Sequence, residues 1–86
     1  MTPIDKTLEM ILRGTSDRNV SFHDLRSLLL HLGFAERVRG SHHLFRREGV
    51  LELINIQRDG NKAKSYQVRQ VRHVILKYRL GGPDHG

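Results

Sequence analysis

Residues 34–57 read FAERVRGSHHLFRREGVLELINIQ. The apolar residues that precede this segment recur at helical spacing. Within the segment this spacing stops, and short runs with strand-like composition follow. Gly40 and Gly49 mark tight turns between these runs. The segment therefore predicts three antiparallel strands, at residues 34–39, 42–47 and 50–57.

Helical patterns flank the strands on both sides. Thr2 and Pro3 favour a helix start and Gly14 a helix end, so a first helix is predicted over residues 3–13. A second helix follows an N-cap at Ser21 and ends at Gly33. A third begins near Ser65, and its predicted apolar face consists of Tyr66, Val68, Val71, Val74, Ile75 and Tyr78.

The predicted order is α-α-β-β-β-α. This is an α+β fold in which helices cover one face of a three-stranded antiparallel sheet and the other face stays partly open. A length of 86 residues predicts a single domain. We expect an extra N-terminal helix at residues 3–13, a core at residues 20–80 and a flexible tail at residues 81–86. Residues 15–20 are predicted to be a loop and residues 58–61 a turn.

Positive charge is the first functional indication. Fifteen Lys and Arg residues against nine Asp and Glu residues give a formal charge of +6. Most of the excess positive charge lies between Arg37 and the C-terminus, in the predicted strands and the last helix. Such a field attracts polyanions, and phosphate contacts supply the sequence-independent part of nucleic-acid affinity. The alternative is ordinary solubility charge.

Other composition features limit the class of protein. The chain has no cysteine, which excludes disulfides and thiolate metal sites and fits a reducing cytoplasm. The N-terminus lacks the basic start and apolar run of a signal peptide. No segment has the roughly 20 apolar residues that a membrane span needs. We therefore expect a cytoplasmic protein without membrane contacts.

The segment Gly40-Ser41-His42-His43 carries the candidate chemistry. In a strand, neighbouring side chains point to opposite faces, so His42, Leu44 and Arg46 share one face. His43, Phe45 and Arg47 share the other. Adjacent histidines on opposite faces are poorly placed to chelate one ion, so neither a metal site nor a cofactor is predicted.

A histidine beside a basic surface has a chemical use in RNA cleavage. The 2′-hydroxyl of RNA can attack the adjacent phosphorus, and an imidazole, whose ordinary pKa is about 6.5, can move the protons. Arg or Lys side chains can stabilise the charge that builds on the phosphorane. The alternative for His42 is a solvated or hydrogen-bonded surface histidine, and Arg46 and Arg47 could equally be ordinary exposed residues.

Lys62 and Lys64 form a second basic feature, between the Gly60-Asn61 turn and the start of the last helix. Free amides and the dipole at a helix start favour anions, and lysines there would add charge to a phosphate site. The alternative is a flexible, solvated loop.

Four segments occur together in this chain. They read LGF at residues 32–34, RVRGSHHLF at 37–45, DGNKAK at 59–64 and YQVRQVR at 66–72. With these segments, residues 20–80 resemble the HicA toxin family of bacterial and archaeal toxin–antitoxin modules.

The resemblance implies a double-stranded-RNA-binding-like fold, whose order α-β-β-β-α the chain has once its first helix is left out. It also implies an endoribonuclease that cleaves mRNA without a metal cofactor, and a HicB-like antitoxin protein bound over the active surface. His42, directly after Gly40-Ser41, matches the family's catalytic histidine, and His43 is the weaker candidate. The residues predicted to bind RNA are Arg39, Gly40, Ser41, Arg46, Lys62, Lys64, Arg69 and Arg72.

Two features depart from the family pattern. The helix at residues 3–13 extends beyond it, and Ser65 stands where many members have a proline. A single histidine also leaves the second proton-transfer group open, and water or a group on the RNA could act there. Two other functions fit the residues. One is a non-catalytic RNA-binding module, and the other is a protein-interaction subunit whose basic face docks an acidic antitoxin.

Overall fold

A computed structural model describes residues 2–81 of the chain. The predicted tail at residues 81–86 lies outside the described residues, except for Gly81. The predicted α+β order is confirmed, with a 3-10 turn at Asp17–Asn19 and a small hairpin before the last helix as additions. In chain order the elements are α1 (Pro3–Arg13), α2 (Phe22–His31), β1 (Ala35–Arg39), β2 (His42–Arg46), β3 (Ile54–Ile56), β4 (Arg58–Asp59), β5 (Lys62–Ala63) and α3 (Ser65–Tyr78).

Local sequence signals set the ends of the first two helices. The Thr2 hydroxyl accepts a hydrogen bond from the Asp5 amide at 3.1 Å, and the Asp5 carboxylate accepts one from the Thr2 amide at 3.3 Å. This reciprocal capping box, with Pro3 in the first turn, starts α1 at the predicted residue. Gly14 ends it with a φ of 72°, a left-handed conformation that glycine adopts without steric cost. Ser21 caps α2 through its side chain.

The three-stranded sheet has the order β1-β2-β3, and both strand pairs are antiparallel. A two-residue loop, Gly40–Ser41, joins the first two strands, since Arg39 pairs directly with His42. Gly40 has a φ of 58°, as expected for glycine at the first central position of a tight hairpin turn. The register sets Leu44 opposite Asn55, which places Asn55 on the same face of the sheet as His42.

The hydrophobic core lies on the other face of this sheet. Phe45, Ile54 and Ile56 point into it and are fully buried. Helices α2 and α3 cover this face, and α1 packs against both of them. In the part of the chain that the structure describes, no helix covers the opposite face, so its side chains reach solvent. The other fully buried core side chains are Ile11, Val20, Phe22, Leu25, Leu28, Leu29, Val68, Val71 and Val74.

The third strand is shorter than predicted. The sequence predicts residues 50–57, but the strand that pairs with β2 is Ile54–Ile56. Part of the preceding segment binds the end of α3 instead. The Leu51 amide donates to the Tyr78 hydroxyl at 3.2 Å, and this hydroxyl donates to the Glu52 carboxylate at 2.6 Å. Leu51 and Glu52, which the sequence places in the third strand, therefore contact α3 instead of pairing with β2.

The predicted turn at residues 58–61 contains the tip of the small hairpin that β4 and β5 form. Two backbone hydrogen bonds attach this hairpin to the start of α2. The Phe22 amide donates to the Asn61 carbonyl and the Ala63 amide donates to the Val20 carbonyl, both at 3.0 Å. The pairing brings the Gly60 turn against a helix start that is distant in sequence.

The predicted apolar face of α3 needs one correction. Tyr66 is 55% exposed, whereas the neighbouring Gln67 is 4% exposed. Gln67 turns inward because its side-chain oxygen accepts a hydrogen bond from the Gln57 backbone amide at 2.6 Å. The first turn of α3 therefore buries Gln67, a polar side chain with a hydrogen-bond partner, and leaves the ring of Tyr66 exposed.

Candidate functional site

His42 and His43 lie at the start of β2 and point to opposite faces of the sheet, as predicted. His42 is exposed on the open face. His43 lies on the covered face, where its side chain is 19% exposed. Its ring packs edge-on against Phe22, with 4.7 Å between the ring centroids. The two imidazoles therefore have different surroundings and different partners.

The His42 ring is held by Asn55 on the neighbouring strand. Its Nδ1 atom lies 3.1 Å from Nδ2 and 3.3 Å from Oδ1 of the Asn55 amide. When Nδ2 donates to Nδ1, the ring is neutral and carries its proton on Nε2, so Nε2 offers neither the lone pair of a base nor the acidic proton of an imidazolium. When the amide is turned and Oδ1 accepts from Nδ1–H, Nε2 can act as a base in the neutral ring and as an acid in the protonated ring. The orientation in which Asn55 Oδ1 accepts is therefore the one that supports proton transfer at Nε2.

A chain of hydrogen bonds ties the hairpin loop to α3. The Gln57 side-chain amide donates to Ser41 Oγ at 3.4 Å, and the Gln57 backbone amide donates to Gln67 Oε1 at 2.6 Å. Because Gln67 is buried, the inner end of this chain is fixed in the core. Ser41, which the sequence predicts to bind RNA, thus also steadies the loop that precedes His42.

Three arginines surround a groove on the same face as His42. Arg37 and Arg39 project from β1 and Arg46 projects from β2, and all three are exposed. The groove that they line has a volume of about 400 Å³. The structure therefore brings Arg39 and Arg46, both predicted to bind RNA, to one face with His42. Arg37 joins them, although the sequence did not single it out.

On the covered face, His43 belongs to a charged network that joins α2 to the sheet. Glu36 accepts hydrogen bonds from the Arg26 guanidinium at 2.7 to 3.0 Å, and His43 Nδ1 lies 2.8 Å from its carboxylate. The Arg26 hydrogen bond, reinforced by His43, lowers the pKa of Glu36 below its ordinary value of 4.5 against the opposing effect of burial. This network gives His43 a structural role in the packing of α2.

Glu36→Gln is expected to lower the free energy of unfolding at neutral pH by about 1.5 kcal/mol, because it removes a charged hydrogen-bond acceptor. Since folding lowers the pKa of Glu36, its stabilisation is complete above pH 4.5 and is lost as the pH falls through the folded-state value. Urea unfolding from neutral to acidic pH should therefore show a shallower loss of stability in the variant.

Glu52 provides the reference for this measurement. The Tyr78 hydroxyl, with Lys77, holds the pKa of Glu52 at about 2. Glu52 is unchanged in the variant, so the loss of stability caused by its protonation should be the same in wild type and Glu36→Gln. Parallel curves for wild type and Glu36→Gln would contradict the role given to the Arg26–Glu36 pair.

Three other residues predicted to bind RNA lie away from this groove. Lys62 is exposed in β5 and lines a separate cavity of about 280 Å³. Lys64 is the half-buried N-cap residue of α3, and Arg69 is exposed on that helix. None of the three lines the groove near His42.

Arg72, also predicted to bind RNA, is used to hold the fold together. Its guanidinium donates to the Asp17 carboxylate at 2.8 and 3.1 Å and to the Ile11 carbonyl at 3.2 Å. The side chain is 20% exposed and joins α1, the 3-10 turn and α3. Its position therefore does not support RNA binding, because its charge is already paired and largely removed from solvent.

Comparisons with protein families, curated proteins and solved structures find no match to this chain. Within residues 2–81 there is no helix long and apolar enough to cross a membrane. The same residues contain no cluster of three His, Asp or Glu side chains that could hold a metal ion.

Sequence reasoning missed three residues of this site: Arg37, Asn55 and Gln57. Strand alternation was the available signal, since Arg37 shares a face with Arg39 and Asn55 separates two buried isoleucines. Alternation alone does not give the register that brings Asn55 to His42, so the contact needed the structure.

Proposed function

We propose that this chain is an endoribonuclease toxin of the HicA type, which cleaves mRNA without a metal ion and uses His42 as general acid or base. The observation that carries the proposal is the exposed His42 ring, held through Nδ1 by Asn55. A positioned imidazole of this kind contributes roughly 10²- to 10⁴-fold to a proton-transfer step. Arg37, Arg39 and Arg46 supply positive charge on the same face.

In the proposed reaction, the RNA 2′-hydroxyl attacks the adjacent phosphorus while the bond to the 5′-oxygen breaks. The products are a 2′,3′-cyclic phosphate and a 5′-hydroxyl. Nε2 of His42 takes the proton of the 2′-hydroxyl or gives one to the leaving oxygen, and water or a group on the RNA completes the other transfer. Arg39, which pairs with His42 across the hairpin, stabilises negative charge on the phosphorane.

The arrangement of the helices supports the same assignment. Without α1 and the small β4–β5 hairpin, the order α2-β1-β2-β3-α3 agrees with the α-β-β-β-α order that the resemblance to HicA toxins implies. The resemblance of residues 20–80 to HicA toxins adds a HicB-like antitoxin as the protein partner, bound over the open face. We expect the toxin to act in the cytoplasm, on mRNA.

The test incubates the purified protein with end-labelled RNA in the presence of EDTA. New fragments that end in 2′,3′-cyclic phosphates would support a metal-independent ribonuclease. RNA binding without fragments would instead favour a non-catalytic RNA-binding module of the same fold. Failure to bind RNA, together with salt-sensitive binding of an acidic antitoxin, would favour a protein-interaction subunit.

A further inference from the structure

The open face of the sheet carries a groove along the edge strand β1. Its apolar part consists of Ala35, Leu44 and Leu53, and Leu53 is 40% exposed. The basic part is formed by Arg37, Arg39 and Arg46. His42 does not line the groove itself but lies next to it, because it is the strand partner of Arg39.

Several basic residues of the fold are neutralised by carboxylates, but these three groove arginines have no carboxylate partner among the described residues. Among residues 2–81, none of the three forms an ion pair or a side-chain hydrogen bond. Glu36 also borders the groove, but its carboxylate is engaged by Arg26 and His43. The basic side chains that carboxylates do hold are Arg13 by Glu9, Arg26 by Glu36, Arg72 by Asp17 and Lys77 by Glu52.

We propose that this groove binds an unpaired RNA strand, with phosphates on the three arginines and bases over Leu44 and Leu53. The inference rests on the proposed ribonuclease function. Arg37 and Arg39 are two residues apart on one strand, or about 7 Å, a spacing that successive phosphates of an extended strand can match. Guanidinium groups bind phosphate oxygens through paired hydrogen bonds. A strand held in this way passes His42 with a phosphate near Nε2.

The cleavage chemistry selects an unpaired strand over a duplex. Attack by the 2′-hydroxyl requires the 2′-oxygen, the phosphorus and the leaving 5′-oxygen to come into line, and base pairing in an A-form helix holds the backbone away from that arrangement. An unpaired strand is also free to turn its bases out of the stack and onto an apolar surface, which a duplex cannot do. Leu44 and Leu53 provide such a surface beside the groove arginines, so the unpaired strand is assigned to the open face.

The test compares two double variants that each remove two positive charges from exposed residues. Arg37→Gln/Arg46→Gln removes them from the groove, and Lys6→Gln/Arg18→Gln removes them from two exposed residues outside it. Fluorescence anisotropy measures the dissociation constant for a labelled 2′-O-methyl RNA oligonucleotide, which cannot be cleaved because its nucleophile is blocked. We expect the groove variant to bind about tenfold more weakly or worse, with a salt slope reduced by about 1.4, since each single-strand phosphate contact contributes about 0.7. The other variant should stay close to wild type.

Equal weakening by the two variants overturns the inference, and so does tighter binding of a duplex than of the unpaired strand. An unchanged dissociation constant in the groove variant, with loss of an acidic protein partner, overturns it as well and gives the groove to that protein. Circular dichroism checks that the variants fold, and Arg37→Lys/Arg46→Lys provides a charge-retaining form that should keep most of the binding.

The binding measurement does not depend on catalysis, because the 2′-O-methyl RNA cannot be cleaved. Groove binding without cleavage of unmodified RNA would support the inference and remove the proposed function. Cleavage of unmodified RNA combined with equal weakening by the two variants would keep the proposed function and overturn the inference.

Discussion

His42→Ala is expected to lower the rate of RNA cleavage by about 10²- to 10⁴-fold, because it removes the imidazole that moves protons in the proposed reaction. The exposed ring is bonded to Asn55 at the surface, so its loss should change the free energy of unfolding by less than about 0.5 kcal/mol. Single-turnover cleavage of labelled RNA in EDTA, with enzyme in excess, measures the chemical step. RNA affinity should change little, since Arg37 and Arg39 remain.

His43→Ala is the matched control, because it removes the neighbouring imidazole from the opposite face. It loses the contact with Glu36 and the ring contact with Phe22, so it should destabilise the fold. Each folded molecule should nevertheless keep cleaving. Cleavage retained by folded His42→Ala and lost in folded His43→Ala would reverse the assignment.

Phe45→Ala is expected to lower the free energy of unfolding by about 3 to 5 kcal/mol, because it leaves a large cavity in the core. The Phe45 side chain is fully buried on the covered face. Leu44→Ala removes an apolar side chain from the adjacent position, but this residue is half-buried on the open face, so the expected loss is about 1 kcal/mol. Urea unfolding compares the two variants. Equal losses would mean that β2 does not present these faces.

The helix ends and the two faces of β2 can be predicted because they depend on residues close together in sequence. The capping box of α1 needs only Thr2 and Asp5, three positions apart. The separation of His42 from His43 requires only that residues 42–46 form a strand. Neither prediction needs any knowledge of the neighbouring elements.

The partners of these residues could not be predicted, because they come from distant parts of the chain. Asn55 meets His42 through the register of β2 and β3, and a shift of one residue would turn Asn55 towards the core. Asp17 meets Arg72 across 55 positions. An arginine next to a carboxylate that far away is indistinguishable, in the sequence, from one that is free to bind phosphate.

The edge position of β1 has a consequence for self-association. An edge strand exposes backbone groups that can pair with a second copy of the chain, and charged side chains oppose this pairing. Arg37 and Arg39 place two positive charges along this edge, on either side of Val38, which is 54% exposed. Repulsion between these charges opposes edge-to-edge pairing of two copies of the chain. A bound polyanion would neutralise these charges and so lower the barrier to edge-to-edge pairing along β1.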